Sequence, residues 1–277
     1  MASPGLEAFF LGEGAGRLFC LLHQPPAARR LIGSLIYLHP FAEEMNKSRR
    51  MAALQARALA EAGWMVLQAD MRGCGDSAGD FGEATWQAWV DDALSLSDWL
   101  AARSGVRPAL WGLRAGCLLA AATARARADP GDLLFWQPVL TGKQHLQQFL
   151  RLKVAGAMLG ESRQGAASTR DLRDKLQAGE AVEVAGYLLA PDLALGLDAA
   201  TLAPPAAGGR LKWIEVSAAV TPEIAPASRQ SIAAWQAAGW QVEVKIVAGA
   251  AFWQTQEIEV APDLIAQTLA LTWSAAS

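Results

Sequence analysis

Short apolar runs alternate along the chain with longer stretches whose hydrophobic residues recur every three or four positions. The first kind reads as buried strands and the second as amphipathic helices. A hairpin is predicted near the amino terminus, from Ala8 to Leu11 and then from Arg17 to His23. Ile32 to Leu38 follows as an apolar strand, closed by the polar turn His39-Pro40-Phe41-Ala42-Glu43-Glu44. Met51, Leu54 and Leu59 predict a helix from about Ser48 to Ala62, with Arg49, Arg50 and Arg57 towards solvent and Gly63 stopping it. Trp64 to Ala69 is the next buried strand and ends in a glycine-rich turn, Asp70 to Gly82. A helix over about Ala84 to Ala102 presents Trp86, Trp89, Leu94 and Trp99. Arg107 to Trp111 is a strand that leads into Gly112 and another helix, and Leu133 to Trp136 is a further strand. Towards the carboxyl end come Leu211 to Val216, a helix containing Trp235, Gln241 to Val247 and a helix from about Asp263. This alternation predicts a mainly parallel sheet covered by helices on both faces.

Between Gln137 and Pro205 the rhythm breaks. Gln144 to Leu159 reads as an amphipathic helix, Glu161 to Lys175 as a polar stretch and Ala181 to Leu189 as a strand. Residues 138–205 are therefore expected to form a small inserted cap, with residues 1–137 and 206–277 as the core. The run Ala203 to Gly209, rich in proline, alanine and glycine, is the expected link back to that core.

Composition narrows the class. The 277 residues are 52% hydrophobic and only 18% charged, which suits a thick buried sheet rather than disorder. The net charge of -3 comes from interspersed residues, so no basic face for nucleic acid is expected. No uncharged apolar run reaches the roughly 20 residues of a membrane span. The stretch Met1 to Gly5 predicts no secretory leader, and the cysteines Cys20, Cys74 and Cys117 lack metal-ligand spacing. Together these predict a cytoplasmic protein with reduced thiols, no metal and no cofactor.

Gly112-Leu113-Arg114-Ala115-Gly116 follows a strand and opens a helix. This is the context and spacing of the Gly-x-Ser-x-Gly nucleophile elbow, and it predicts an α/β-hydrolase fold. The central residue, however, is Arg114, which has no nucleophilic oxygen and stays protonated at physiological pH. No serine occurs between Ser104 and Ser162, and Cys117 reads as a small buried hydrophobe. The fold orders its triad as nucleophile, acid, histidine. Here the histidines are His23, His39 and His145, and the loop after the last strand reads Ala248-Gly249-Ala250-Ala251-Phe252-Trp253. Triad catalysis thus lacks both nucleophile and base.

What surrounds Arg114 points towards binding. The backbone N–H groups of Ala115 and Phe41 are the expected oxyanion-hole donors, with His39 in the same loop. With the amino end of the helix and the guanidinium, they predict a pocket for a carboxylate or phosphate. Internal pairing of Arg114 with Glu43, Glu44 or Asp70 is the competing expectation. Trp136, Phe252 and Trp253 either wall the crevice for an acyl chain or simply fill the core. His145 either projects from the cap towards the crevice, where it could serve as a base, or lies on the surface of a cap helix, the favoured expectation, and His23 is expected to be packed in an early strand. The turn Asp70-Met71-Arg72-Gly73-Cys74-Gly75-Asp76-Ser77 is expected to brace loops.

Four segments together resemble one bacterial family: His39 to Arg49, Arg72 to Ser77, Gly112-Leu113-Arg114, and Phe252 to Ile258. It is the exosortase A system-associated hydrolase 2 family, and the resemblance covers nearly the whole chain. It implies a bacterial accessory role beside exopolysaccharide biosynthesis and a sorting system for tagged exported proteins, whose components would be its partners. It does not restore the missing chemistry, because the arginine belongs to the family pattern. Three functions remain open: a binder of an anionic or acylated ligand, an ester or thioester hydrolase of non-standard mechanism, and a protein-interaction scaffold.

Overall fold

The computed structural model describes residues 5–159 and 167–271. Its central sheet has eight strands: β1 (Gly5–Leu11), β2 (Leu18–Gln24), β3 (Gly33–Leu38), β4 (Trp64–Ala69), β5 (Ala109–Leu113), β6 (Leu133–Trp136), β9 (Arg210–Ser217) and β10 (Gln241–Ala248). They lie in the order β1-β2-β4-β3-β5-β6-β9-β10. The pairs β1–β2 and β2–β4 are antiparallel and the rest are parallel. This is the α/β-hydrolase fold that the sequence predicts.

Strand periodicity divides the core in two. Leu35, Tyr37, Trp111, Leu134, Trp136 and Ile214 face α1 (Glu43–Ala62) and α8 (Pro262–Leu271). Ile36, Leu38, Leu110, Leu133, Phe135 and Trp213 face the side of α2 (Trp86–Ser104), α3 (Ala115–Ala126) and α7 (Pro226–Ala237). Consecutive residues of β6 alternate between the two cores, so the sheet is buried on both faces.

Four local expectations need correction. Helix α1 begins at Glu43, not near Ser48. Ser48 lies buried within the helix, while Ala42 turns the chain with a φ of 50°. Strand β5 runs two residues later than predicted, beyond Pro108. Ala181 to Leu189 is not one strand but a hairpin, β7 (Val182–Val184) and β8 (Tyr187–Leu189), joined through Ala185 and Gly186, both at positive φ. The polar stretch Glu161 to Lys175 lies outside the described residues in part; its end belongs to α5 (Thr169–Gln177), opened by a Ser168–Asp171 capping box.

Between β6 and β9 the chain builds α4 (Gly142–Leu159), α5, the hairpin and α6 (Pro191–Ala199). Helix α4 packs on α5 and α6, and α6 packs on α2. The amphipathic helix predicted from Gln144 is α4; α6, with Pro191 at its first position, is not foreseen.

The chain runs from β3 out to β4 on one side and returns to β5 on the other. Ligands in such sheets sit at this reversal, outside the carboxyl ends of the strands. The loops there are the two that begin α1 and α3, and α3 meets β3 at very short range. A Cβ on Gly116 would overlap Leu38 O, and one on Gly112 would stand 2.6 Å from Cys117 N. Gly116→Ala is expected to lower stability by about 3 kcal/mol or more in urea unfolding. The exposed helical Gly156, which nothing crowds, is the control; Gly156→Ala is expected to be neutral or to stabilise by up to about 1 kcal/mol.

Candidate functional site

Arg114 occupies the elbow with φ 55° and ψ -119°, a conformation that costs a non-glycine residue of order 1–3 kcal/mol. Its backbone is held from both sides: N–H donates to Trp136 O at 3.0 Å, and its carbonyl accepts from Cys117 N–H at 3.0 Å. Ala42, at the start of α1, has nearly the same strained geometry, φ 50° and ψ -125°. The loops that would build an oxyanion hole are thus both retained in shape. The N–H groups of Ala115 and Phe41 have no hydrogen-bond partner among the described residues.

The guanidinium settles which carboxylate it meets. Nε and Nη2 of Arg114 donate to Glu44 Oε1 at 3.4 and 3.3 Å, and both side chains are about 15% exposed. This contact depends on the early start of α1, which puts Glu44 in its first turn. Trp253, from the loop where the fold would place a catalytic histidine, lies 5.4 Å from the guanidinium carbon in a cation–π contact. Asp70 stands apart from this pair. It is bound to Arg49 at 3.1 Å and accepts from Asp76 N–H at 3.1 Å, bracing the glycine-rich turn as expected. Gly75 is required there, since a side chain would run into the Asp70 carboxylate.

A cavity of about 150 Å³ opens beside the pair, lined by Phe41, Glu43, Glu44, Arg114, His145, Gln148, Phe149, Leu152 and Gln254. Wider grooves of about 540 and 410 Å³ involve Val106, Arg107 and Asp129, which precede β5 and β6. They sit at the amino ends of the strands, away from the elbow. Size does not choose the site; the elbow does.

Among the residues singled out in the sequence, Arg114, Ala115, Phe41, Glu44 and Trp253 come together here. Glu43 and His145 line the same cavity, whereas Asp70, His39, Trp136, Phe252 and Cys117 are placed elsewhere. His39 is 6% exposed, with Nδ1–H donating to Pro40 O at 2.8 Å and Nε2 accepting from Met71 N–H at 3.1 Å. That tautomer leaves no nitrogen for a ligand, and burial pushes its pKa down. Trp136 and Phe252 are fully buried in the core under α1 and α8, where Trp136 Nε1–H donates to Thr268 Oγ1. They fill the core and do not wall the crevice. The thiol of Cys117 is buried against Trp136 O, and burial raises its pKa well above the ordinary range, so it is no nucleophile.

His145 takes the crevice-facing placement, the less favoured of its two expectations. It is 5% exposed, not on the surface, and lies edge-on to Phe41 with ring centroids 5.9 Å apart. Burial, assisted by the charge of Arg114, pushes its pKa down to about 3. Its Nδ1 is buried without a partner among the described residues. The spacing of His145, Gln148, Phe149 and Leu152, at i, i+3, i+4 and i+7, was the available signal that one face of α4 looks into the crevice.

The fold and the elbow define an α/β-hydrolase-fold protein whose nucleophile position holds an arginine. The chain belongs to the Hydrolase_4 family, serine aminopeptidase S33, whose pattern matches residues 31–180. It is 35% identical over 98 residues to the human protein ABHD12B, a match that spans 35% of this chain and 26% of that protein. Among solved structures it is similar to Est1E from Butyrivibrio proteoclasticus, with a TM-score of 0.59 and 15% identity over 95% of each chain. It is also similar to XC6422 from Xanthomonas campestris, described as a serine hydrolase without lid, with a TM-score of 0.54 and 17% identity over 98% of this chain and 96% of that one. At such identities the structures share the fold.

His145 makes the pocket acid-sensitive. Its folded pKa of about 3 lies below the ordinary 6.5, so the unfolded chain binds its proton first as pH falls. Stability is full above about pH 6.5 and declines towards pH 3, with His39 acting in the same direction. His145→Leu is expected to flatten that decline by up to one proton, about 1.4 kcal/mol per pH unit, in unfolding curves collected across the range.

Proposed function

We propose that this chain is a non-hydrolytic member of its fold. It acts as a cytoplasmic accessory protein of a bacterial exopolysaccharide and exosortase system, and holds a small anionic or acylated ligand beside Arg114. The observation that carries this is the elbow itself: a strained, well-braced nucleophile position occupied by a guanidinium paired to Glu44. The free amides of Ala115 and Phe41 support recognition of a carboxyl or acyl oxygen. Phe41, Phe149 and Leu152 offer an apolar wall for a short tail. Among the described residues no helix is long and apolar enough to cross a membrane, and no group of residues is arranged to hold a metal ion. The accessory role rests on the resemblance of the motifs at His39 to Arg49 and Phe252 to Ile258.

Hydrolysis of an ester or thioester by unorthodox residues has one observation in its favour, the neutral His145 inside the cavity. That imidazole is a weak base, far from the near-neutral pKa that proton abstraction favours. The binding reading therefore ranks first. A panel of esters and thioesters is expected to show no turnover above buffer, and Arg114→Ser is expected to gain none, since the late histidine is missing too. A thermal-shift and calorimetric screen of short carboxylates and acyl compounds is expected to find stabilising ligands, with Arg114→Ala weakening them roughly tenfold to a hundredfold. Turnover in the panel, or equal binding by wild type and Arg114→Ala, would overturn the proposal. Co-purification from the native host tests the system assignment: recovery of exopolysaccharide or sorting components supports it, and their absence counts against it.

A further inference from the structure

We propose that the Arg114 cavity takes its ligand as a carboxylic acid together with one proton, with Glu44 and the ligand sharing that proton. This rests on the reading of the cavity as a ligand site and specifies its chemistry.

Several polar atoms around the cavity lack partners. Glu44 uses only Oε1 on Arg114; Oε2 is buried and has no hydrogen-bond partner among the described residues. A buried oxygen in that state requires a donor. The Nη1 of Arg114 makes no hydrogen bond among the described residues, and the amides of Ala115 and Phe41 have none. Beside the cavity there are thus unpartnered donors on the elbow side, the unpartnered Glu44 Oε2 on the α1 side and the unpartnered Nδ1 of His145 on the α4 side. A carboxyl group complements the first two: one oxygen accepts from the guanidinium or an amide, and the other, as O–H, donates to Glu44.

Charge reaches the same conclusion. Arg114 is already neutralised by Glu44, and on α1 the flanking Glu43 and Lys47 oppose each other. His145, the titratable group that α4 brings to the cavity, is neutral and adds no charge there. A carboxylate entering as an anion would place a second negative charge beside Glu44 on a single guanidinium. Two carboxylates in such contact do not both stay ionised. Burial already pushes the Glu44 carboxyl above its usual range, so it is the group prepared to accept the proton. The proton comes from solvent or buffer, and the one bond made is the O–H of the shared carboxyl, offset by the O–H broken in the donor. A cavity of about 150 Å³ has the volume of about five waters, which suits a short unbranched acid lying against Phe149 and Leu152.

Butyrate is the probe. Isotope-labelled full-length protein is titrated with sodium butyrate by NMR between about pH 6 and pH 8, and calorimetry in phosphate and Tris buffers counts the protons taken up. The expected result is a Kd that rises about tenfold per pH unit above the Glu44 transition, with close to one proton bound per butyrate in that range. Glu44→Gln, which keeps the shape and donates N–H, is expected to bind butyrate with little pH dependence and more tightly than wild type near pH 8. Pocket binding with no proton uptake in wild type, or an unchanged pH slope in Glu44→Gln, overturns this inference and leaves the binding reading standing. No butyrate shift at the cavity at any pH overturns this inference, whereas the binding reading falls only if the wider ligand screen also fails. The wild-type proton count needs no variant, so a folding defect in Glu44→Gln does not remove the test.

Discussion

The structure turns on how closely α3 can approach β3. With glycine at 112 and 116, the helix starts almost against the carbonyls of Leu38 and His39. That approach forces the residue between them into positive φ and aims its side chain over the carboxyl ends of the strands. In a hydrolase the same strain presents a serine. Here it presents a guanidinium, and the cost of the strained turn is met by the same glycines and backbone bonds. Once Arg114 is fixed there, much of the site follows: Glu44 must come from the first turn of α1 to meet the charge, and Trp253 covers one face of it.

Much of this was legible in the sequence because strands with short, fully apolar runs leave little choice. Leu133 to Trp136 alternates between two cores and was predicted residue for residue. The elbow was legible too, since glycine spacing after a strand and before a helix is a backbone requirement rather than a side-chain habit. The beginning of α1 was not. Nothing in Ala42 announces positive φ, and the mostly polar run from Glu43 to Ser48 carries no apolar period that would mark the first turns of the helix. That shift of five residues is the reason the partner of Arg114 remained open among three carboxylates.

The segment between β6 and β9 is less legible in the sequence for a related reason. Its hairpin is only three residues per strand, too short for a period-2 pattern to show, and its helices α5 and α6 span nine residues each. Short elements take their conformation from packing more than from propensity. His145 is the functional consequence. A histidine in a polar-looking helix reads as solvent-facing until the helix is laid across Phe41, whereupon its ring becomes part of the cavity wall.

A fixed positive charge at a helix amino terminus suggests an anion site, but the charge does not act alone. Glu44 cancels it at contact distance, and Glu43 and Lys47 add no net sign. The cavity that remains is close to neutral, small and partly apolar, with donors on one side and a buried carboxylate oxygen on the other. A strongly charged ligand gains little there, because every Coulomb attraction to Arg114 is shared with a repulsion from Glu44. A neutral group with one donor and one acceptor loses less on desolvation and satisfies both sides. The arginine therefore fixes where a ligand would sit, while Glu44 decides what protonation state it must arrive in.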